Sequence, residues 1–172
     1  MIETGYIQVY TGNGKGKTTA ALGLALRSVC AGNRVFFGQF MKGQNYSELK
    51  APSFLPGLTL EQFGDPEFLT GKPTEKDFEN ARIGLRRMEE ILVSGSYDMV
   101  VFDEVNTALY FGLLEASEVL AVLDKRPVSV EVILTGRYAP QEIQDRADLV
   151  TEMREIKHYY NAGVPARVGV EN

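Results

Sequence analysis

The residues best suited to chemistry form one short run near the N-terminus, Thr11-Gly12-Asn13-Gly14-Lys15-Gly16-Lys17-Thr18-Thr19. Glycines let successive backbone N–H groups turn inward around an anion. Lys17 adds a mobile positive charge, and the Thr18 hydroxyl can ligate a divalent cation. The apolar run Tyr6–Tyr10 precedes it and a helical pattern, Lys17–Gly32, follows. That strand–loop–helix context marks a phosphate-binding loop for a nucleoside triphosphate. The usual pattern, G-x-x-x-x-G-K-[ST], puts its first glycine at position 11, where this chain has Thr11. Gly12 and Gly14 tighten the loop instead, and Lys15 adds a second cation. Gly12, Asn13, Gly14, Lys15, Gly16, Lys17, Thr18 and Thr19 are the expected phosphate contacts.

A second group closes an apolar strand pattern, Met99-Val100-Val101-Phe102-Asp103-Glu104. In a phosphate-loop fold such a strand end faces the triphosphate, and one carboxylate holds Mg²⁺ directly or through water. The spacing leaves open whether Asp103 or Glu104 does so. With Thr18 they are the expected metal residues.

Elements that position these groups follow by pattern. Strands are expected at Tyr6–Tyr10, Arg34–Phe40, Leu58–Phe63, Asp98–Phe102, Val128–Leu134 and Leu149–Met153. Helices are expected at Lys17–Gly32, Thr74–Val93, Leu114–Leu123 and Ala139–Asp145, with Gly32 and Thr74 as caps. Alternation of this kind implies crossover connections and a three-layer α/β fold: a mostly parallel six-stranded sheet with helices on both faces. Residues 1–172 read as a single nucleotide-binding domain. Ligands in such sheets lie beyond the C-terminal strand ends, where each motif above falls.

Composition narrows the function. A net charge of −5 provides no global basic field for nucleic acid or an anionic membrane. The single cysteine, Cys30, excludes an internal disulfide framework and a cysteine-cluster zinc site. Its apolar helical setting predicts a buried side chain. One histidine, His158, makes a poor metal site alone. No apolar run approaches the roughly 20 residues that span a bilayer, and no secretory pattern opens the chain. A cytoplasmic protein is expected.

Taken together, the motifs resemble those of the P-loop ATP:corrinoid adenosyltransferases. The resemblance rests on Val9–Ala20, Gln39-Phe40-Met41-Lys42-Gly43, Val101-Phe102-Asp103-Glu104, Leu134-Thr135-Gly136-Arg137, Ala147–Met153, Lys157-His158 and Ala162-Gly163-Val164. It implies that a reduced corrinoid, Co(I), attacks C5′ of ATP, taking the adenosyl group and releasing triphosphate in adenosylcobalamin synthesis or salvage. It also implies ATP lying reversed in the loop, Mg²⁺ (or Mn²⁺) as the metal, a flavoprotein reductant and a homodimer. Co(I) is itself a strong nucleophile, so the protein needs no nucleophile–base pair. Its task is to orient C5′ and stabilise charge on the leaving triphosphate. Lys15 and Lys17 suit that role, and Arg27 and Arg137 are further phosphate candidates, Arg27 being as readily read as a helix-surface arginine.

For the corrin, the loop Phe63–Leu69 is the expected shelf. The resemblance assigns Phe68 to the lower corrin face, where displacing an axial ligand makes Co(I) accessible. Gln39 and Lys42 are expected to line the same cleft. Family members often carry a segment before the first strand that folds over the site. Here Met1–Gly5 precede it, so Lys42–Pro56 and Gly64–Pro73 are the expected lids. Two readings compete: a small-molecule kinase, although Arg86-Arg87 is the only adjacent arginine pair, and an ATP-binding corrinoid sensor without transfer.

Overall fold

Val35-Phe36-Phe37 and Val100-Val101-Phe102 are apolar at consecutive positions, which only a strand covered on both faces can hide. The computed structural model, which describes residues 2–65 and 71–171, places both on inner strands of a sheet. Its elements are β1 (Ile7–Thr11), α1 (Lys17–Cys30), β2 (Val35–Phe40), α2 (Ala51–Phe54), β3 (Leu58–Phe63), α3 (Glu75–Val93), β4 (Met99–Asp103), α4 (Val105–Tyr110), α5 (Ala116–Leu123), β5 (Glu131–Thr135), α6 (Gln141–Arg146) and β6 (Leu149–Glu152). Short 3₁₀ turns occupy Ser47–Lys50 and Tyr159–Ala162. The strand order is β3-β2-β4-β5-β1-β6, and every pairing is parallel.

Alternate side chains of the same strands feed two cores. Phe36, Phe40, Val100, Phe102 and Leu134 pack under α3, α4, α5 and α6. Val35, Phe37, Met99, Val101 and Ile133 pack under α1, with Ala51 and Leu55 of the α2 region beside them. On α1 the buried stripe is Ala21, Ala25 and Ser28. At α3, Thr74 and Asp77 form the expected reciprocal cap, a feature worth about 1 kcal/mol.

Several expectations are corrected. Cys30 is exposed, because it lies off the Ala21–Ala25–Ser28 stripe at the open end of α1. The helix expected from Leu114 begins at Ala116, where Glu115 and Glu118 cap it reciprocally. The stretch Lys42–Pro56, read as loop because of its prolines, holds a 3₁₀ turn and α2; Pro52 sits in the first turn, where its missing N–H costs nothing. The short α4 was not anticipated. It opens on Glu104 in the left-handed region, φ 61°.

Candidate active site

All four inner strands of the sheet end in polar residues on one edge: Thr11 after β1, Gln39 near the end of β2, Asp103 on β4 and Thr135 on β5. Each is buried. A polar terminus on an otherwise apolar strand is a cheap sign of the functional edge.

The loop glycines answer a packing demand as well as a phosphate. Gly12 has φ 95°, and a Cβ there would lie 2.5 Å from the Met153 carbonyl oxygen. A Cβ on Gly14 would lie 2.7 Å from the same atom. The loop therefore lies directly on the chain leaving β6, joined by Gly14 N–H to Met153 O at 2.7 Å and Met153 N–H to Thr11 O at 2.8 Å. Thr11, in the place of the usual glycine, uses its hydroxyl to accept from Ala139 N at 3.1 Å. The unusual glycine spacing thus fits the loop against β6.

Lys17 curls into the loop. Its Nζ donates to Gly12 O and Gly14 O, each at 2.8 Å. Burial pushes its pKa below the ordinary lysine value. Two of three ammonium protons are engaged by the loop, leaving one for a ligand. The first turn of α1 has no acidic residue, so no side chain of the helix itself offsets the positive end of its dipole.

Asp103 is fully buried and saturated. Oδ1 accepts from Thr18 at 2.9 Å and Thr135 at 2.6 Å. Oδ2 accepts from Gln39 at 3.1 Å and from the Lys42 ammonium at 3.0 Å. Glu104 is placed differently. It lines the cleft and accepts from Thr107 Oγ1 on Oε2 at 2.5 Å. Burial, then the neighbouring Asp103 charge, raises its pKa. Its left-handed backbone is held by its N–H donating to Thr135 Oγ1 at 3.0 Å. Met41 and Tyr138 are also non-glycine residues at positive φ, and they too follow ends of β2 and β5. Such strain costs about 1–3 kcal/mol per residue and gathers where geometry serves function.

These groups surround a cleft of about 500 Å³, within the range of small-molecule sites. It is lined by Gly14–Thr19 of the loop, by Lys42, Tyr46, Ser47 and Glu48 after β2, by His158, Gly169, Val170 and Glu171 of the C-terminal segment, and by Leu22, Glu104 and Arg137. The segment from Lys42 is thus a wall of the cleft. Gly64 N–H donates to Lys42 O at 2.9 Å, so the loop after β3 starts on the same edge.

Most of the expected residues line this cleft, but among the described ones Gly12, Asn13, Arg27, Gln39 and Asp103 do not. Gln39 does not line the cleft. It is fully buried, linking Asp103 to Glu48 (3.2 Å) and accepting from Gln62 (3.1 Å), so it acts by positioning. Arg27 sits in the last turn of α1, about 15 Å along the axis from Lys17 at the helical rise, and is absent from the lining. Gly12 and Asn13 line a separate depression with Tyr138 and Glu152, on the other side of the loop. Lys15 reaches the rim, but its ammonium is taken by Tyr159, Val170 and Glu171. Phe68 lies outside the described residues. Sequence reasoning missed Thr135, Glu48 and Thr107 as site residues, and also the wall formed by Val170 and Glu171.

A phosphate loop between β1 and α1, facing an acidic end of β4 on a parallel sheet of this order, defines a P-loop nucleotide-binding α/β protein. Two solved structures share that fold: the RadB recombinase (TM-score 0.56, 18% identity, covering 91% of this chain and 78% of that one) and the flagellar accessory protein FlaH of Methanocaldococcus jannaschii (TM-score 0.59, 14% identity, 88% and 72%). At such identities they establish a RecA-like architecture alone.

The family is established by sequence. The model of the ATP:corrinoid adenosyltransferases BtuR/CobO/CobP matches residues 3–172. The corrinoid adenosyltransferase of Escherichia coli K12 is 36% identical over 172 residues, covering 98% of this chain and 86% of the relative. Corrinoid adenosyltransferase CobA of Salmonella typhimurium is 36% identical over 178 residues, with the same coverage. This chain belongs to the ATP:corrinoid adenosyltransferase family, and it is a transferase.

Proposed function

We propose that this chain transfers the 5′-deoxyadenosyl group of ATP to the Co(I) centre of a corrinoid, in one nucleotide-binding domain. The cobalt–carbon bond forms as the C5′–oxygen bond breaks, and both electrons of that bond leave with triphosphate. The observation that carries this reading is the concentration of charge at the phosphate end of the cleft. Lys17, the α1 N-terminus and Arg137 face one region. Such groups stabilise a departing polyanion without acting on a phosphorus atom.

The donor set fits Mg²⁺. Asp103 has no lone pair to spare after four donors, and Lys42 already balances its charge. Glu104 accepts one hydrogen bond among the described residues and carries a charge that burial opposes. Thr18 and Glu104 would therefore hold the cation. Asp103 would orient Thr18 by accepting its hydroxyl proton, which turns the oxygen lone pairs outward. Mg²⁺ would supply charge neutralisation at the phosphates.

Glu104→Gln gives a paired test. A carboxyl whose folded pKa is raised binds its proton more tightly folded than unfolded, so stability falls as pH rises from the unfolded to the folded pKa. Above both, the ionised group is a net cost. At neutral pH the variant is expected to melt higher than wild type without ligand, yet to need far more Mg²⁺ for turnover. A lower melting temperature combined with an unchanged Mg²⁺ requirement would remove Glu104 from the metal site.

The whole reading is tested by incubating the protein with MgATP and chemically reduced cobalamin. Absorbance reports cobalt–carbon bond formation, and triphosphate is assayed in parallel. Neither signal, with ATP binding intact, leaves a sensor; ADP release on offering an acceptor alcohol indicates a kinase. Family likeness also supports a homodimer, a flavoprotein reductant and a cytoplasmic setting. Among the described residues no helix is long and apolar enough to cross a membrane.

A further inference from the structure

The second loop lysine, Lys15, is spent on the C-terminal segment. Its Nζ donates to Tyr159 Oη at 3.0 Å, Val170 O at 3.0 Å and Glu171 Oε1 at 2.5 Å. An ammonium has three protons, and all three are used. Glu171 is in turn held from several sides. Arg167 donates to it through its backbone N–H at 2.9 Å and its guanidinium at 3.2 Å, and Tyr159 donates its phenolic hydrogen. The Arg167 guanidinium also lies over the Tyr159 ring, 4.9 Å from its centroid. A lone surface ion pair is worth little. Here one carboxylate is met by two cations and a phenol, and the pair joins residues 15 and 171, at opposite ends of the chain. These partners hold the Glu171 carboxyl far below the usual range and raise Lys15, so the contact stays charged across physiological pH.

The segment held in this way lines the cleft: His158, Gly169, Val170 and Glu171 border it together with the phosphate loop and with Lys42, Tyr46, Ser47 and Glu48. We infer that the C-terminal segment is a fixed wall of the nucleotide cleft, latched to the phosphate loop by Lys15 through Glu171, and that Glu171 is a positioning residue for nucleotide binding rather than a competitor of the phosphates. The inference rests on the reading of this cleft as the MgATP site. It gives the additional loop lysine a role distinct from that of Lys17. Lys17 meets the ligand, whereas Lys15 holds the wall beside it.

The two roles predict opposite signs. Were Glu171 a phosphate mimic to be displaced, Glu171→Ala would free Lys15 and tighten MgATP. As a latch, Glu171→Ala, Lys15→Ala and the double variant should all weaken MgATP by a similar factor, about tenfold for one charge-assisted contact and the wall it orders. The KM for ATP should rise by that factor, while kcat with saturating ATP and supplied Co(I) stays within about twofold. The reversed pair, Lys15→Glu with Glu171→Lys, should recover most of the affinity that each reversal alone loses. Trypsin should cut after Arg154 and Lys157 faster in the single variants than in wild type. MgATP binding is read by calorimetry on the full chain, separately from transfer. If wild type binds no MgATP, the site reading itself fails. If wild type binds and Glu171→Ala tightens the nucleotide, or the two alanine losses add in the double variant, the latch is overturned.

Discussion

Lys17→Ala should reduce adenosyl transfer by a factor on the order of a hundred to a thousand, the scale of removing one preorganised donor to a developing anion, while leaving the melting temperature unchanged or slightly raised. The two halves of this expectation have one cause. Lys17 is buried, and burial lowers its pKa. A lysine whose folded pKa is depressed is charged at a cost below that pKa, and the cost disappears only as pH rises above both values. At neutral pH the folded protein therefore carries an ammonium it would rather not hold. Alanine removes that cost. The carbonyls of Gly12 and Gly14, left without their donor, belong to residues that border open depressions on either side of the loop, from which water can replace the lost ammonium. The measurement is turnover with supplied Co(I), MgATP calorimetry and a melting curve on the same preparation. Full activity would mean that Lys17 does not meet the leaving triphosphate. A large drop in melting temperature would mean that its two loop hydrogen bonds outweigh its desolvation.

How much of this was legible in the sequence follows from how far apart the cooperating residues lie. The loop is contiguous, so the sequence alone could place Gly16, Lys17 and Thr18 together, and the structure has all three lining the cleft. β3 was delimited correctly because Pro56-Gly57 and Gly64 punctuate both of its ends. The surroundings of Asp103 could not be read in the same way. Its four donors come from α1 (Thr18), β2 (Gln39), the turn after β2 (Lys42) and β5 (Thr135). Only the sheet order brings these together, because β4 lies between β2 and β5. Gln39 and Lys42 share a motif, yet the strand's alternation and the turn after it send one into the interior and the other to the cleft wall. Arg27 failed for a simpler reason: ten residues of helix carry a side chain away from the loop that starts it. The Lys15–Glu171 contact spans nearly the whole chain and leaves no local pattern.

The second large effect separates the two adjacent acids that sequence spacing could not. Asp103→Ala is expected to destabilise the fold by about 3–5 kcal/mol, the cost of breaking a buried ion pair by deleting one partner, against a total of roughly 5–15 kcal/mol for a domain. Two hydroxyls, one amide and the Lys42 ammonium lose their acceptor together. Glu48 lies 3.6 Å from Lys42 and offers it partial compensation, but its oxygens do not reach Thr18 or Thr135 among the described contacts. Asp103→Asn should fall between: it keeps one acceptor oxygen but turns an NH₂ toward donors, one of them cationic. Adding Lys42→Met to Asp103→Asn should then restore part of the lost stability, since the stranded charge is gone. Urea unfolding of wild type, Asp103→Ala, Asp103→Asn, the Asp103→Asn/Lys42→Met double variant and Glu104→Gln decides this. If Lys42→Met deepens the loss in the Asp103→Asn background, Lys42 is not the charge that Asp103 neutralises. If Asp103→Ala is as stable as Glu104→Gln, the buried network contributes nothing, and the proposed division of labour between a structural Asp103 and a metal-holding Glu104 fails with it.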